Sequence, residues 1–203
     1  MIPLLLMLAA ADAPAMTPVD AERAFAADAK TIGQWTAFRK WSTDDAVMFV
    51  PQPVNAHEFL KDRKDPPKVI DWWPTASWIS CDGKFAVNTG GWQRPDGVVG
   101  YFSTVWRRQP NGSWKWIVDG GDNLKAARPR PAKVVPMRAS CDGKNIRDGL
   151  AIPATDGSRT AADGTMISVF SVKPDGSRQF TVTQWDGRTF RTVVDDKIAA
   201  PPK

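Results

Sequence analysis

The spacing of apolar residues near the beginning of the chain predicts a helical stripe. Apolar side chains recur at intervals of three and four at Phe25, Ala29, Ile32, Trp35, Phe38 and Trp41. That interval is typical of one face of an amphipathic helix. Thr17, Pro18 and Asp20 provide a helix start, as N-cap, first helical residue and capping-box carboxylate. We therefore expect a helix from about Pro18, with a jog at Gly33.

Two short elements are predicted next. The apolar run at residues 46–50, which ends before Pro51, is typical of a short buried strand. Asn55 is a suitable N-cap for a short helix that would extend to about Arg63. These elements connect the helical stripe to the strands that follow.

From residue 69 to residue 121 the pattern changes to strands separated by tight turns. Asp-Gly or Asn-Gly pairs separate runs of aromatic and β-branched residues, which is a strong signal for hairpins. The pattern predicts a four-stranded antiparallel meander with strands at 69–80, 85–93, 98–109 and 114–121. Because one face of such a sheet needs cover, we expect the helical stripe to pack into its concave face.

The last third of the chain repeats the hairpin pattern. Residues 139–203 predict a small β-meander extension, and residues 124–138, rich in proline and basic side chains, predict an extended, solvated linker. The expected fold class is thus α+β: a cone-shaped, curved antiparallel sheet packed on N-terminal helices, followed by a small β-meander extension.

Three stretches of this sequence carry a family resemblance. They are AERAFA at 21–26, DDAVMF at 44–49 and VWRRQPNGSWK at 105–115. In this order they resemble the nuclear transport factor 2-like superfamily, and within it the SnoaL-like and ketosteroid-isomerase-like bacterial domains of unassigned function. The resemblance covers residues 17–123. It implies a cavity between the helices and the concave sheet, where enzymes of the superfamily place Asp or His, and dimerisation through the sheet face.

Composition narrows the partners that the chain is expected to have. The formal net charge is +5, but the basic residues are scattered, and the basic run of residues 125–138 is interrupted by prolines. We therefore expect no binding to nucleic acid. The partner we expect is an apolar or aromatic small molecule.

The first residues resemble an export signal. An apolar run from Ile2 to Ala11 leads into Ala11-Asp12-Ala13, which has the form of a signal-peptidase site. The run is too short for a transmembrane helix, which needs about 20 apolar residues, so no stable membrane anchor is expected. We interpret residues 1–13 as a signal peptide and the mature protein as periplasmic or secreted; the alternative is an apolar N-terminal strand.

The two cysteines, Cys81 and Cys141, each lie in a copy of the pentapeptide SCDGK. A structural zinc site needs four ligands, and the chain has one histidine besides these cysteines. We therefore expect no metal and no cofactor. In an oxidising compartment the two cysteines would form a disulfide that ties the extension to the cone, and the alternative is two buried free thiols.

Candidates for acid–base chemistry are few. Asp71 is flanked by two indoles, whose apolar walls would disfavour its charged form. Asp45, at the end of the helical stripe, and His57, on the short helix, are the other weak candidates. Strict alternation along residues 114–121 places Trp114 and Trp116 inward and points Asp119 outward, so this strand is expected to give the cavity no acid or base.

The ten tryptophans offer a different kind of site. Aromatic side chains with a few polar groups are typical of a small-molecule pocket. The expected ligand-binding residues are Trp35, Trp72, Trp73, Trp92, Tyr101 and Trp106. The alternative is that these side chains fill the cone completely.

Three functions remain open at this point. The first is an exported binding or accessory protein with a tryptophan-lined pocket and no catalytic activity. The second is an enzyme of ketosteroid-isomerase or polyketide-cyclase type that uses a pocket carboxylate as general base. The third is a homodimerising interaction module. The first is favoured, because no acid–base constellation stands out in the sequence.

Overall fold

The predicted α+β class is confirmed by the computed structural model, which describes residues 15–50, 52–143 and 157–200. The elements, in chain order, are α1 (Pro18–Ile32), α2 (Gln34–Trp41), β1 (Ser42–Phe49), β2 (Pro53–Asn55), α3 (Ala56–Leu60), β3 (Asp71–Ile79), β4 (Phe85–Gln93), β5 (Val99–Arg108), β6 (Trp114–Leu124), β7 (Met137–Arg138), β8 (Ser158–Thr160), β9 (Met166–Val172), β10 (Arg178–Trp185) and β11 (Phe190–Ile198). The predicted signal peptide, residues 1–13, lies outside the described residues.

The helix starts follow the predicted capping chemistry. The hydroxyl of Thr17 accepts from the backbone N–H of Asp20, and the Asp20 carboxylate accepts from the backbone N–H of Thr17, each at 3.1 Å. Gly33, with φ of 101°, separates α1 from α2, because a side chain is strained in that conformation. Asn55 caps α3, which ends at Leu60, earlier than the predicted Arg63.

The predicted meander forms the centre of a seven-stranded sheet of order β2-β1-β6-β5-β4-β3-β7. Strands β3 to β6 pair antiparallel in sequence. Two flanking strands make the sheet mixed, since β1 runs parallel to β6 and β7 runs parallel to β3.

Each face of this sheet has its own apolar layer. On one face, helices α1 and α2 pack over a cluster that includes Phe25, Trp106 and Trp116. On the other face lies a separate antiparallel sheet of order β11-β10-β9-β8, and its side chains pack against residues such as Val105 and Val118. The predicted extension therefore covers the face of the main sheet that the helices leave open.

The proline-rich segment does not run free in solvent as the sequence predicted. The indole N–H of Trp73 donates to the carbonyl of Pro129 at 3.0 Å, and the Arg130 guanidinium lies 4.0 Å from the centroid of the Trp73 ring. Arg128 donates to the hydroxyl of Thr89 at 2.8 Å. Tryptophan and backbone groups on β3 and β4 thus provide partners that a count of prolines and charges does not reveal.

The predicted disulfide is present between Cys81 and Cys141. Cys81 lies in the turn between β3 and β4, and Cys141 follows β7, so the bond ties the start of the extension to the main sheet. Its Cα atoms are 5.1 Å apart, within the usual range. Among the described helices, none has the length and apolarity needed to cross a membrane.

Candidate functional site

A cavity of about 340 Å³ lies between the helices and the inner face of the main sheet. Its walls are mostly aromatic: Phe25, Trp35, Phe38, Trp72, Trp92 and Phe102. Polar groups reach it at a few points, and two of them are the carboxyl groups of Glu22 and Asp119. The cone is therefore not completely filled by its tryptophans.

A β-bulge in β6 turns Asp119 toward this cavity. Trp116 pairs with Trp106, but Val118 pairs with Val105, so Ile117 is an extra residue on β6. An extra residue shifts the alternation of side chains by one position. Trp116 therefore faces the helices, Ile117 and Val118 both face the second sheet, and Asp119 lines the cavity. The prediction that Asp119 points outward, which assumed strict alternation, is wrong.

The carboxyl group of Asp119 is held in an apolar setting. The hydroxyl of Thr104 donates to its Oδ1 at 2.9 Å. Burial raises the pKa of Asp119 to about 7, and the single hydrogen bond from Thr104 offsets only part of that effect. At neutral pH this side chain can hold or release a proton.

Glu22 is the second carboxyl group of the cavity, and it comes from helix α1. Its Oε1 accepts from the indole N–H of Trp72 at 3.0 Å, and its Oε2 accepts from Trp106 at 2.9 Å and from Asn88 at 3.2 Å. Burial raises the pKa of Glu22 to about 7; these three hydrogen bonds lower it, and the nearby charge of Asp119 raises it further. The two carboxyl groups are thus electrostatically linked.

The three sequence-predicted acid–base residues lie elsewhere. Asp71 forms ion pairs with Lys30 and Arg130 at the surface. Burial acts to raise the pKa of Asp71, but hydrogen bonds and charge from those two cations outweigh it and hold the pKa below its usual value. It therefore stays ionised at neutral pH and is not among the residues that line the cavity.

Asp45 and His57 are likewise absent from the cavity wall. Asp45 is paired with Arg107 at 2.9 Å. Burial acts to raise its pKa, and bonds from Thr43 and Arg107 bring the net pKa below the ordinary value. The Nε2 of His57 lies 2.9 Å from the hydroxyl of Ser42, which also donates to the carbonyl of Arg39.

Of the six predicted ligand-binding residues, four line the cavity: Trp35, Trp72, Trp92 and Tyr101. Trp106 lies fully buried beneath it, bound to Glu22. Trp73 faces Pro129 and Arg130 instead. Whether any of them binds a ligand stays a prediction.

The sequence contained a signal for Glu22 that the pattern argument did not use. Glu22 precedes Phe25 by three positions and Ala29 by seven, so it lies on the apolar stripe of α1. A lone carboxylate on such a stripe must be buried with partners or must hold a proton. For Asp119 no comparable signal exists, because the bulge depends on how β5 and β6 pair.

The described residues hold no cluster of three or more His, Cys, Asp or Glu side chains that could bind a metal ion. The chemistry of the cavity is therefore described from its carboxyl groups, its hydroxyl and its aromatic walls.

No family model matches the sequence, and no curated protein is significantly similar to it. Three solved structures are similar in shape over about half the chain. A candidate ketosteroid isomerase from Parabacteroides distasonis has 18% identity and a TM-score of 0.45, and covers 54% of this chain and 89% of its own. A candidate ketosteroid isomerase from Shewanella frigidimarina has 16% identity and a TM-score of 0.39, and covers 51% and 92%. The CaMKII hub of S. rosetta has 16% identity and a TM-score of 0.38, and covers 54% and 98%.

These distant similarities carry no activity over to this chain. The fold itself is defined by the two helices packed on one face of the meander, the short third helix that follows the β1–β2 hairpin, and the cavity between the layers. Over about half of its length, the chain thus has the fold of the nuclear transport factor 2-like superfamily.

Proposed function

We propose that this protein binds a small, largely apolar molecule in the cavity between its helices and its main sheet. The observation that carries the proposal is an aromatic-walled cavity of about 340 Å³ with a few inward polar groups. Small-molecule sites usually measure about 300–1,000 Å³ and have this mixture of apolar walls and sparse polar groups. A compact ligand of a few fused rings suits that volume.

Ligand binding can be tested with tryptophan fluorescence and titration calorimetry on a panel of steroids, aromatic compounds and fatty acids. We expect saturable quenching by at least one class, because Trp35, Trp72 and Trp92 line the cavity. Ile70 also lines it, and Ile70→Trp should occupy part of the volume and weaken binding about fivefold or more. The matched control is Ile32→Trp, at an isoleucine that is exposed on α1.

Two results would contradict the proposal. One is the absence of saturable binding across the whole panel. The other is an affinity that falls equally in Ile70→Trp and Ile32→Trp, because a cavity ligand has no contact with the exposed position.

A second function, proton transfer within a bound molecule, is favoured by one observation. Asp119 lines the cavity and has a pKa near 7, which suits a general base at neutral pH. We propose that its carboxylate removes a proton from a carbon next to a carbonyl group and that the resulting carboxylic acid returns the proton to another carbon. The double bond moves, and no oxidant or reductant is needed.

The test is the conversion of a β,γ-unsaturated ketosteroid to its conjugated isomer, followed by ultraviolet absorbance. Asp119→Asn should reduce turnover by about a hundredfold or more. Asp45→Asn and Asp71→Asn are matched controls, because these residues are outside the cavity wall. Turnover that survives Asp119→Asn, or that is lost in a control, would rule Asp119 out as the base.

The disulfide is consistent with an oxidising compartment. We propose that the chain is exported to the periplasm or secreted, with residues 1–13 as the signal. A fusion of residues 1–20 to a reporter enzyme that is active only after export should be active, and the Leu5→Arg version should not. An inactive wild-type fusion would contradict the proposal.

A further inference from the structure

The cavity has an excess of acidic groups over basic ones. Its described lining residues include the carboxyl groups of Glu22, Asp119 and Asp122 and one guanidinium, that of Arg94. Arg94 is already engaged, because its Nη2 donates to Asp96 at 2.8 Å on the exposed side. The interior of the cavity thus contains carboxyl groups without a cation to neutralise them.

Asp119 differs in this respect from the surface aspartates of the same domain. Asp45 is paired with Arg107, and Asp28 with Lys40 at 2.7 Å. The one described side chain that donates to Asp119 is the neutral hydroxyl of Thr104. A buried carboxylate is costly unless it is paired, and here the position of the missing cation is inside the cavity.

The walls of the cavity suit a cation as well. Phe25, Phe38 and Trp72 form a set of edge-to-face contacts, with ring centroids 4.8 Å apart for Phe25–Phe38, 4.9 Å for Phe25–Trp72 and 6.0 Å for Phe38–Trp72. Aromatic faces attract ammonium groups, and the attraction grows where water is excluded. The same walls accommodate an apolar body. Carboxylate and aromatic rings together are a receptor for an organic cation.

We infer that the molecule bound in this cavity is a protonated amine on a compact apolar or aromatic body, with its ammonium group against the carboxylate of Asp119. This inference rests on the proposed binding function and specifies the ligand class. An organic acid of the same shape would meet the charge of Asp119 and Glu22 and be rejected. A neutral ligand would fill the volume and leave Asp119 without a counter-ion.

A set of three probes with one rigid body separates these cases: adamantylamine, adamantanol and adamantane carboxylate. They have no indole absorbance, so binding to the full chain can be followed both by tryptophan emission and by calorimetry. At pH 8 we expect the amine to bind about tenfold or more tightly than the alcohol, and the carboxylate more weakly than either.

The preference should depend on pH through the groups that face the cavity. These are Glu22 from α1, Asp119 and Asp122 from β6, and Arg94 from the turn after β4. Arg94 keeps its charge throughout. Between pH 5 and pH 8 the amine should gain affinity as Asp119 and Glu22 ionise, and the alcohol should show little change.

Variants complete the test. Asp119→Asn keeps the shape and the acceptor for Thr104, so it should bind adamantanol normally and bind the amine no more than about twofold better than the alcohol. Asp175→Asn, in an exposed turn of the second sheet, should behave as wild type.

The outcomes distinguish the inference from the function on which it rests. If the alcohol binds as well as the amine in the wild type, the amine inference is overturned and the binding function stands. If the amine preference survives in Asp119→Asn, the assignment to Asp119 is overturned. If neither these probes nor the broader panel binds, the proposed function itself fails.

Discussion

At the scale of single residues, the molecule keeps an ionisable group where an apolar one would be more stable. Asp119 and Glu22 are acids whose pKa values are raised to about 7 by burial. Between the unfolded and folded pKa values, the folded state binds more protons than the unfolded state, so stability falls as pH rises through that window. Each carboxyl group therefore stabilises the fold least at alkaline pH.

Asp119→Asn tests this directly. Asn cannot ionise, so at pH 8 the variant should be more stable than the wild type by about 2 kcal/mol, a fraction of what a shift of roughly three pKa units implies. At pH 5, where the wild-type carboxyl group is mostly protonated, the two should be similar. Urea unfolding at the two pH values measures the difference. A variant that is destabilised equally at both values would contradict the raised pKa of Asp119.

Whether sequence predicts a residue's environment depends on the range of the interactions that determine it. Thr17 and Asp20 are three positions apart, and their capping box was predicted correctly. Asp119 was misplaced because one extra residue, Ile117, reverses the faces of everything after it. The pairing of β5 with β6 creates that bulge, and no residue type in the strand announces it.

At the scale of elements, helix α2 is held by a carboxylate that is distant in sequence. Its N-cap, Gly33, has no side chain to offer. Asp65 takes that place: its Oδ1 accepts from the backbone N–H groups of Trp35 and Thr36, and its Oδ2 accepts from the Thr36 hydroxyl. The helix it caps carries Trp35 and Phe38 into the cavity wall. The cap thus helps to position one side of the site.

Asp65→Ala should leave two helix N–H groups without acceptors and cost about 1 kcal/mol of stability, as loss of an N-cap usually does. Faster amide hydrogen exchange at Trp35 and Thr36 than in the wild type is the measurement that checks it, since the loss should be confined to the start of α2. Asp62→Ala, at an exposed position in the same connection, is the control. Unchanged exchange at both amides would show that Asp65 does not cap the helix.

The elements that were predicted correctly share a local origin. Hairpin turns such as Asp82-Gly83 and Asn111-Gly112 combine a residue tolerant of turns with a glycine at positive φ, and the strands around them were found close to their predicted bounds. The parallel additions, β1 beside β6 and β7 beside β3, were not predicted. They join residues far apart in sequence, so only the assembled sheet determines them.

At the scale of the whole molecule, the second sheet occupies a surface that the family resemblance had assigned to dimerisation. Its side chains Met166, Phe170 and Val182 pack in one cluster with Val105 and Val118 of the main sheet. Two chains cannot pair through a face that is already covered. We therefore propose that the full chain is a monomer, at least through this face.

Sedimentation velocity over a range of concentrations measures the oligomeric state. A single species with the mass of one chain is expected. A dimer that persists on dilution would show that another surface of the molecule associates, and it would restore the homodimer interpretation by a different route.

The covalent tie between the two sheets should contribute substantially to stability. Cys81 and Cys141 close a loop with a sequence separation of 60, for which chain entropy predicts about 4 kcal/mol. Replacing both cysteines by Ala should lower the free energy of unfolding by roughly that amount, less any relaxation of the folded state. Reductant should destabilise the wild type and leave the double variant unchanged. Two titratable thiols in the unreduced, denatured wild type would contradict the bond.

The bonds from two indoles to Glu22 give this protein an optical indicator of its own interior. Trp72 and Trp106 donate to opposite oxygens of that carboxyl group, so a change in its protonation alters the electric field along both chromophores. Tryptophan emission should therefore titrate with a midpoint near the Glu22 pKa of about 7. The midpoint should move to lower pH in Asp119→Asn, which removes a charge that raises the pKa of Glu22, and the titration should vanish in Glu22→Gln. A chemist searching for the ligand could then screen by colour of emission, without labelling either molecule.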